Sequence, residues 1–513
     1  MVSAPTTRRR AIRAQAVAGP RRALRRIPPT AGLVAAGWAA LLSAWLVSNP
    51  PFLAPDEPDH YLRAIAVGEG KLDATPTVEV PADLWARWRD PGGPTCNAGD
   101  QERSAACVTD AVPADHPVRI TTAAGAYPPL YYLAPGLAMR AGRNPFDAVR
   151  LARAAGAVVS FAFLALALAL LVARENERLS LTGLLLAVSP MVLFVLASLN
   201  SSSLEIAAGI AFFAALLRLS RDAAAAKGWV WAAAAVAGVA LGLSRATGVL
   251  WIVLDVVLFV GLAGPRRALA VFRAARGAAV ATAALLVIAA VTNRVWEQLN
   301  GNAITLQGST AAAEGGSGSS VRSWYWHGFQ QLRRVFDEEV GVFGWLDSVM
   351  PYPAYHAWEA LVAGIVILAF VAATRRERVV LVGAVALSAA VVVWLSATLV
   401  AATGADVQGR HVLPFAVVVP MLAGELLFRN RARLALLDLG ALFGLVALGV
   451  AGLQLVGWLT NSFRQSVGIE GPRFFLTHAA WSPPLGWLSW LFVALVGAAL
   501  LAAPALLRPL RPR

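Results

Sequence analysis

Charge is scarce in this chain. Asp, Glu, Lys and Arg make up only 14% of its 513 residues, against roughly a quarter in soluble globular domains. Lysine is rarer still: Lys71 and Lys227 stand alone, and the abundant Arg and Ala point to a GC-rich bacterial genome. Only two cysteines occur, Cys96 and Cys107. No second Cys or His pair therefore has the spacing of a structural zinc site. Strand-type alternation of the barrel kind is missing, as are sequence repeats and coiled-coil heptads. No Walker loop, dinucleotide fingerprint, zinc pair or serine-nucleophile motif is present, which excludes the enzyme classes built on them.

What the chain has is apolar length. The hydrophobic fraction is 58% and the mean hydropathy +0.62, and several apolar runs exceed the ~18 residues that signal a membrane span. The expected fold is an all-α polytopic membrane protein with about twelve transmembrane helices: 31–48, 151–173, 179–198, 203–220, 228–244, 246–264, 277–294, 358–374, 378–402, 411–428, 434–459 and 485–507. The formal net charge of +14 does not imply a nucleic-acid partner, because the arginines sit in short links between spans. Alternate links read RENER, RLSRDAAAAK, GPRRALAVFRAAR, TRRER and FRNRAR, and the chain closes on RPLRPR. Positive-inside topology then puts both termini in the cytoplasm of a bacterial plasma membrane. Residues 1–30, with eight arginines and no acid in 7–26, form a basic cytoplasmic tail. The run 31–48 is followed by Asn-Pro-Pro rather than a small-residue cleavage site, so a cleaved signal peptide is not expected. The remainder, 31–513, reads as one polytopic membrane domain.

Three loops on the opposite side are large: 49–150, 295–357 and 460–484. Loops of that length normally carry function. AAAEGGSGSS within the second is low-complexity and flexible in type. Cys96 and Cys107 share the first loop, on an oxidising side, so a disulfide is expected there, with two free thiols the alternative.

The first loop opens on NPPFLAPDEPDHYLR. Pro58 suits the first turn of a helix with Asp56 or Glu57 as its cap, and Tyr61, Leu62, Ile65 and Ala66 would form a stripe resting on the membrane surface. Capping explains one acid, but not Asp56, Glu57, Asp59 and His60 together. The helix dipole favours ionised carboxylates there, able to act as a general base or to hold a divalent cation such as Mg2+ or Mn2+, for which Asp56 and Asp59 have suitable spacing. YPPLYY, with Tyr127 and Tyr131, and the short LAPGLAMRAG after it suit a surface helix or an interfacial anchor. In the second loop, Trp324, Trp326, Phe329 and Phe336 suit an interfacial helix from which Arg333 and Arg334 would meet lipid phosphates, and GVFGWLD brings Asp347 to the membrane edge as a cavity candidate beside Tyr127 and Tyr131; structural packing is the alternative role for each residue of this loop taken singly. In DVQGRHVLP, Arg410 and His411 lie where a loop becomes a helix. Arginine there suits bidentate phosphate binding assisted by helix amides, or a snorkelling anchor. Asn200, Ser201 to Ser203, Glu205, Ser244 and Arg245 are weaker cavity candidates, and Asp255 is an isolated mid-span acid.

PDEPDHYLRAIAVGEGKL, GVFGWLDSVMP and QGRHVLP, in that order, together resemble a bacterial family of predicted membrane proteins of unknown function, over about residues 35–460. That family in turn is similar to the GT-C glycosyltransferases, which take sugar from a polyprenyl-phosphate carrier. The resemblance implies a GT-C-like fold and an inverting glycosyltransferase active on the external face. The acidic position falls on Asp56 or Glu57, with Asp59 and His60 orienting the acceptor or a cation. Arg410 falls in the Gly-Arg-Tyr segment, His411 replacing its tyrosine. The implied partners are the lipid bilayer, a polyprenyl-phosphate sugar and a glycan, lipid or protein acceptor of the cell envelope. Two alternatives remain open: a transporter or flippase for a lipid-linked or anionic substrate, expected to show intramembrane charges and broken helices, and a noncatalytic scaffold of envelope assembly.

Overall fold

The computed structural model describes residues 28–73, 77–81, 93–108, 117–172, 175–221, 228–300 and 321–506. The arginine-rich stretch 7–26, the DAAAAK part of one basic link, AAAEGGSGSS and the terminal RPLRPR lie outside the described residues. The chain opens with α1 (Pro29–Ser48) and α2 (Glu57–Gly68), then the strands β1 (Thr77–Pro81) and β2 (Pro117–Thr121), then α3 (Leu133–Met139) and α4 (Pro145–Leu171). There follow α5 (Leu181–Ala187), α6 (Pro190–Leu196), α7 (Ser202–Arg221), α8 (Gly228–Gly242), α9 (Gly248–Ala263), α10 (Pro265–Ala274) and α11 (Arg276–Asn300). The last third holds α12 (Val321–Gln330), α13 (Leu332–Gly341), α14 (Tyr352–Ala372), α15 (Arg375–Thr403), α16 (Gly409–Ala416), α17 (Val418–Arg429), α18 (Leu439–Val467) and α19 (Gly486–Ala502).

The protein is an all-α polytopic membrane protein. Among the described residues, nine helices are long and apolar enough to cross a bilayer, taking α16 and α17 as one span. Two further helix pairs are bent at a break, Glu177–Ala187 with Pro190–Leu196 by 72° and α9 with α10 by 104°. Every expected span therefore falls on helix, but the third is broken, the sixth ends at the bend between α9 and α10, and the fifth, α8, has only 15 residues. The breaks have local causes. Pro190 and Pro265 cannot donate to the preceding turn. Ser189 caps the new helix at Val192 N–H, 3.2 Å, and Gly264 takes a left-handed φ of 79°.

The bundle is built around α7, whose span is 94% buried, whereas the span in α11 is only 22% buried. Val287, Ile288 and Val291 of α11 point outward, as hydrocarbon-facing side chains do. The basic links meet at one end. Arg218 pairs with Glu177 at 3.1 Å and Arg221 with Glu425 at 2.7 Å. Asn430 donates to Glu377, and Arg433 to the Ala372 carbonyl. The first large loop and α13 lie at the other end.

In the first loop, β1 and β2 pair antiparallel with Val78 opposite Ile120. Cys96 and Cys107 are joined in a disulfide, Cα atoms 6.0 Å apart. Helix α2 does not rest on a membrane surface, as its stripe implied: Tyr61, Leu62 and Ala66 are buried inside the protein. It packs on α3 so closely that a Cβ at Gly68 would stand 2.3 Å from the Gly136 carbonyl oxygen. The outward side of α3 is Leu133 and Leu137, and that of α12 is Tyr325, Trp326 and Phe329. Both helices keep the character of surface-lying elements.

Candidate functional site

The acidic run at 56–60 splits into residues with separate settings. Asp56 has a left-handed backbone, φ 58°, which Asp tolerates better than most residues and which costs about 1–3 kcal/mol unless its surroundings hold it. Its side chain makes no cap hydrogen bond to α2. Instead the carboxylate pairs with the Arg410 guanidinium, which also donates to the Pro55 carbonyl at 2.9 Å. Arg410 is 2% exposed and the Asp56 side chain 49%. The carboxylate thus forms the reachable half of an ion pair whose cation is seated in the protein. Burial pushes the Asp56 carboxyl up, but Arg410, His60 and His411 together outweigh it and hold it at about 2.

Glu57 points the other way and is sealed. It accepts from Arg153 Nε at 2.6 Å, from Arg153 Nη2, and from the Leu199 amide at 2.9 Å, with no exposure on either partner. Arg153 extends the clamp to the Asn49 and Pro50 carbonyls, 2.7 and 2.9 Å. The expectation that Glu57 acts on a substrate is corrected on this geometry: the pair pins α2 to α4 and to the turn before α7. Asp59 is also not a partner of Asp56 in a cation site, since its Oδ1 accepts from Thr122 at 3.2 Å while Asp56 holds Arg410. Among the described residues no three His, Cys, Asp or Glu side chains gather as metal ligands. Asp56 and Asp59, each turned to a separate partner, are therefore not arranged as one shared site for Mg2+ or Mn2+.

His60 is buried and shares a 2.6 Å hydrogen bond with the Tyr132 hydroxyl. It stacks on Tyr127 and Tyr132, ring centres 5.6 and 5.9 Å away. Burial lowers its pKa to about 3 against the opposing pull of Asp56, with Arg410 and Arg245 adding to the drop, so the ring is neutral at physiological pH. Tyr127 is gripped on several sides. Arg63 Nη2 donates to its carbonyl at 3.2 Å, Arg245 Nη2 to its hydroxyl at 3.2 Å, and the Arg245 guanidinium lies 4.9 Å from its ring centre. Arg245 also donates to Ser202 Oγ at 2.6 Å and lies 3.9 Å from Glu205. Glu205 accepts from Thr247 and Trp251, 2.7 and 2.8 Å. Tyr131 takes no part in this recess: its hydroxyl is buried and accepts from the Asn200 amide, 3.0 Å.

Arg410 stands at the start of α16, at Gly409–Arg410–His411. The Gly409 amide donates to Glu338 of α13 at 2.7 Å, and a Cβ on Gly409 would meet the Glu339 amide at 2.6 Å. Only glycine allows α13 that close. His411 Nδ1 accepts from the Gln408 amide at 3.3 Å and closes the first turn. Arg333 and Arg334, expected to meet lipid phosphates, are each engaged by neighbouring acids. Arg333 pairs with Asp337 and Glu359, both 3.0 Å. Arg334 pairs with Glu338 at 2.6 Å and donates to the Val407 carbonyl at 2.9 Å, so it braces the Arg410 turn from beneath. Asp347 is likewise a strut rather than a cavity residue. It is buried, accepts from Arg464 at 2.6 Å and from the Gly99 amide at 3.0 Å. Arg464 donates in turn to the carbonyls of Asn97, Asp100 and Arg103, tying the disulfide loop to α18.

Sequence reading brought Asp56, His60, Tyr127, Arg410 and His411 correctly to one end of the bundle and missed Arg63, Arg153 and Arg464. Arg153 had a signal: an arginine inside an apolar helix is costly unless paired. Its partner Glu57 is 96 positions away, and nothing local names it.

Helix α16 runs from this recess into the bundle. One turn below Arg410, Leu413 begins the wall of a cavity of about 290 Å3, continued by Ala416 and Val417 and closed by Phe336, Trp358 and Val392. Glu339 adds one carboxyl, and Ser189 and Ser388 two hydroxyls, to this largely apolar lining. Burial pushes that carboxyl up to about 8, with repulsion from Glu338 assisting, so it is mostly neutral at pH 7.

The fold and site define a polytopic α-helical membrane protein with a charged, half-open recess at one end. The chain belongs to the family of predicted membrane proteins DUF2142, whose model matches residues 40–419. That span takes in Asp56 through Arg410 and stops short of the 460 expected. No curated protein and no solved structure matches the chain.

Proposed function

We propose that the protein is a GT-C-like glycosyltransferase that moves a sugar from a polyprenyl-phosphate donor to a cell-envelope acceptor, with Asp56 as its reactive carboxylate. The observation that carries this reading is the Asp56–Arg410 pair above the apolar cavity. A polyprenyl-phosphate sugar is an anion joined to a long apolar chain. Arg410 heads the same helix whose next turns line the cavity, so one element offers a phosphate partner and a hydrocarbon surface in that order. Applying the positive-inside rule to the arginine-rich end puts the termini in the cytoplasm and the recess outside. Nucleotide sugars do not reach that face, whereas a lipid-borne donor does.

The chemistry follows from the exchange of partners at Arg410. In the resting pair Asp56 is too weakly basic to take a hydroxyl proton readily. When the donor phosphate engages Arg410, Asp56 loses its main stabilising charge and its proton affinity rises. The acceptor oxygen attacks the anomeric carbon as the bond from that carbon to the phosphate oxygen breaks. The electron pair leaves with the lipid phosphate, stabilised by Arg410. The hydroxyl proton passes to Asp56, and attack from the far side inverts the centre. His60, held neutral against Tyr132, fixes the wall of the recess.

A second reading, transport of a lipid-linked or anionic substrate, is favoured by Asp255. It lies fully buried in α9, and neither carboxylate oxygen has a hydrogen-bond partner among the described residues. The two bent helix pairs point the same way. The discriminating experiment uses the full chain in nanodiscs with radiolabelled polyprenyl-phosphate hexose and an envelope-glycan acceptor. Release of polyprenyl phosphate that disappears in Asp56→Asn, with the melting temperature kept, supports transfer. Full activity in Asp56→Asn defeats it, and accumulation of intact substrate in proteoliposomes without turnover favours transport.

A further inference from the structure

Tyr127 borders a second cavity, of about 300 Å3. Its lining is Tyr127, Asn293, Arg294, Trp296 and Glu297 with Ala126 and neighbouring backbone. The four residues from α11 fall at i, i+1, i+3 and i+4, so three of them share one helical face. The volume lies at the lower edge of the ~300–1,000 Å3 found for small-molecule sites, which suits a single ring.

Three features define what fits. Trp296 is fixed, since its indole N–H donates to the Ala126 carbonyl at 2.7 Å and Arg63 sits 5.8 Å from its ring centre. Tyr127 is held equally firmly by Arg63, Arg245 and His60. The aromatic wall is therefore preorganised. Second, Asn293 is 1% exposed and spends its amide N–H groups on the Gly242 and Arg245 carbonyls, while its Oδ1 is buried with no hydrogen-bond partner among the described residues. Asn293 is one of the lining residues, and an unpaired acceptor is best satisfied by a donor group. Third, Arg294 and Glu297 pair at 3.4 Å, so the edge of the cavity carries no net charge. A pyranose matches all three: its C–H surface suits an aromatic wall, and each hydroxyl both donates and accepts.

We propose that this cavity, walled by Tyr127 and Trp296 with Asn293 and Glu297 at its polar edge, is a carbohydrate-binding subsite for a neutral hexose of the acceptor. Its place beside the reactive carboxylate rests on the transferase reading, because the stacked Tyr127–His60 pair separates it from Asp56. Its ability to bind a sugar does not rest on that reading.

The test is saturation-transfer NMR on the full chain in nanodiscs with methyl α-D-mannopyranoside, methyl β-D-glucopyranoside and methyl β-D-galactopyranoside, and cyclohexylmethanol as the hydroxyl-poor control. A saturable signal is expected from at least one glycoside and none from the control. Glu297→Ala and Trp296→Phe should each weaken binding at least fivefold at an unchanged melting temperature. Absence of signal from all three glycosides, or signal undiminished in both variants, overturns the subsite. Glycoside binding without transfer from any polyprenyl-phosphate sugar leaves the subsite standing and removes the transferase reading. Transfer without glycoside binding removes the subsite alone.

Discussion

Replacing Glu57 by alanine should damage the fold, although the residue beside it is the one assigned to chemistry. Glu57 and Arg153 have no exposure. The carboxylate accepts from two nitrogens of the guanidinium and from the Leu199 amide. Removing it leaves an uncompensated charge among Trp45, Phe52 and the other buried residues of the core. Breaking one side of a buried pair costs about 3–5 kcal/mol. For a chain of this size each kcal/mol moves Tm by roughly 1–2 °C on extrapolated size scaling, so the expected fall is roughly 3–10 °C. Glu57→Gln, which keeps an oxygen for Leu199, should lose less. The double change Glu57→Leu with Arg153→Met removes both charges at similar volume and should recover most of the loss. Fluorescence-detected size-exclusion melting of detergent-solubilised protein measures all three. A Glu57→Ala protein that melts within 1 °C of the parent, or a double variant worse than either single, refutes the clamp.

Breaking the Cys96–Cys107 link with Cys→Ser at both positions frees a loop of sequence separation 11 and should cost about 2–3 kcal/mol, read as faster protease cleavage within 93–108; unchanged cleavage would contradict this. Arg464→Met should expose the same loop with the disulfide intact, because Arg464 holds three of its carbonyls; parental protection would count against the strut. Glu339 takes up its proton more tightly when folded, its value raised from 4.5 to about 8. Its contribution to stability is complete below pH 4.5 and is lost as pH rises through 8. The Tm of Glu339→Gln should therefore match the parent near pH 4.5 and exceed it increasingly towards pH 8, and a constant difference would show that the carboxyl is not buried neutral.

The spans were legible because each is a long apolar run, and hydrocarbon leaves the chain few other conformations. The end-to-end sorting of charge was legible for the same reason. The bend at Pro265 coincides with the expected end of the sixth span, whereas Pro190 falls inside the third, where an unbroken count of apolar positions passes over it. The recess was legible in part. Asp56, His60 and Arg410 stood out as polar or charged groups at span ends. Which acid faces solvent was hidden, because Asp56 and Glu57 are adjacent and only a left-handed turn at Asp56 sends one to Arg410 and the other to Arg153. Arg333 and Arg334 each have an acid four positions on, Asp337 and Glu338, so their pairing was open to a helical reading, whereas the partner of Asp347 is brought in by packing. Arg464, 117 positions from Asp347, has no local sign of that pairing.

The most direct measurement is the binding of polyprenyl phosphate and of the matching polyprenol, by native mass spectrometry, to the parent protein and to Arg410→Met. A recess that reads phosphate at Arg410 predicts that the parent binds the phosphate at least tenfold more tightly than the alcohol, and that Arg410→Met binds the two alike while keeping its fold. Equal binding of both lipids by the parent, or an undiminished phosphate preference in Arg410→Met, would contradict it.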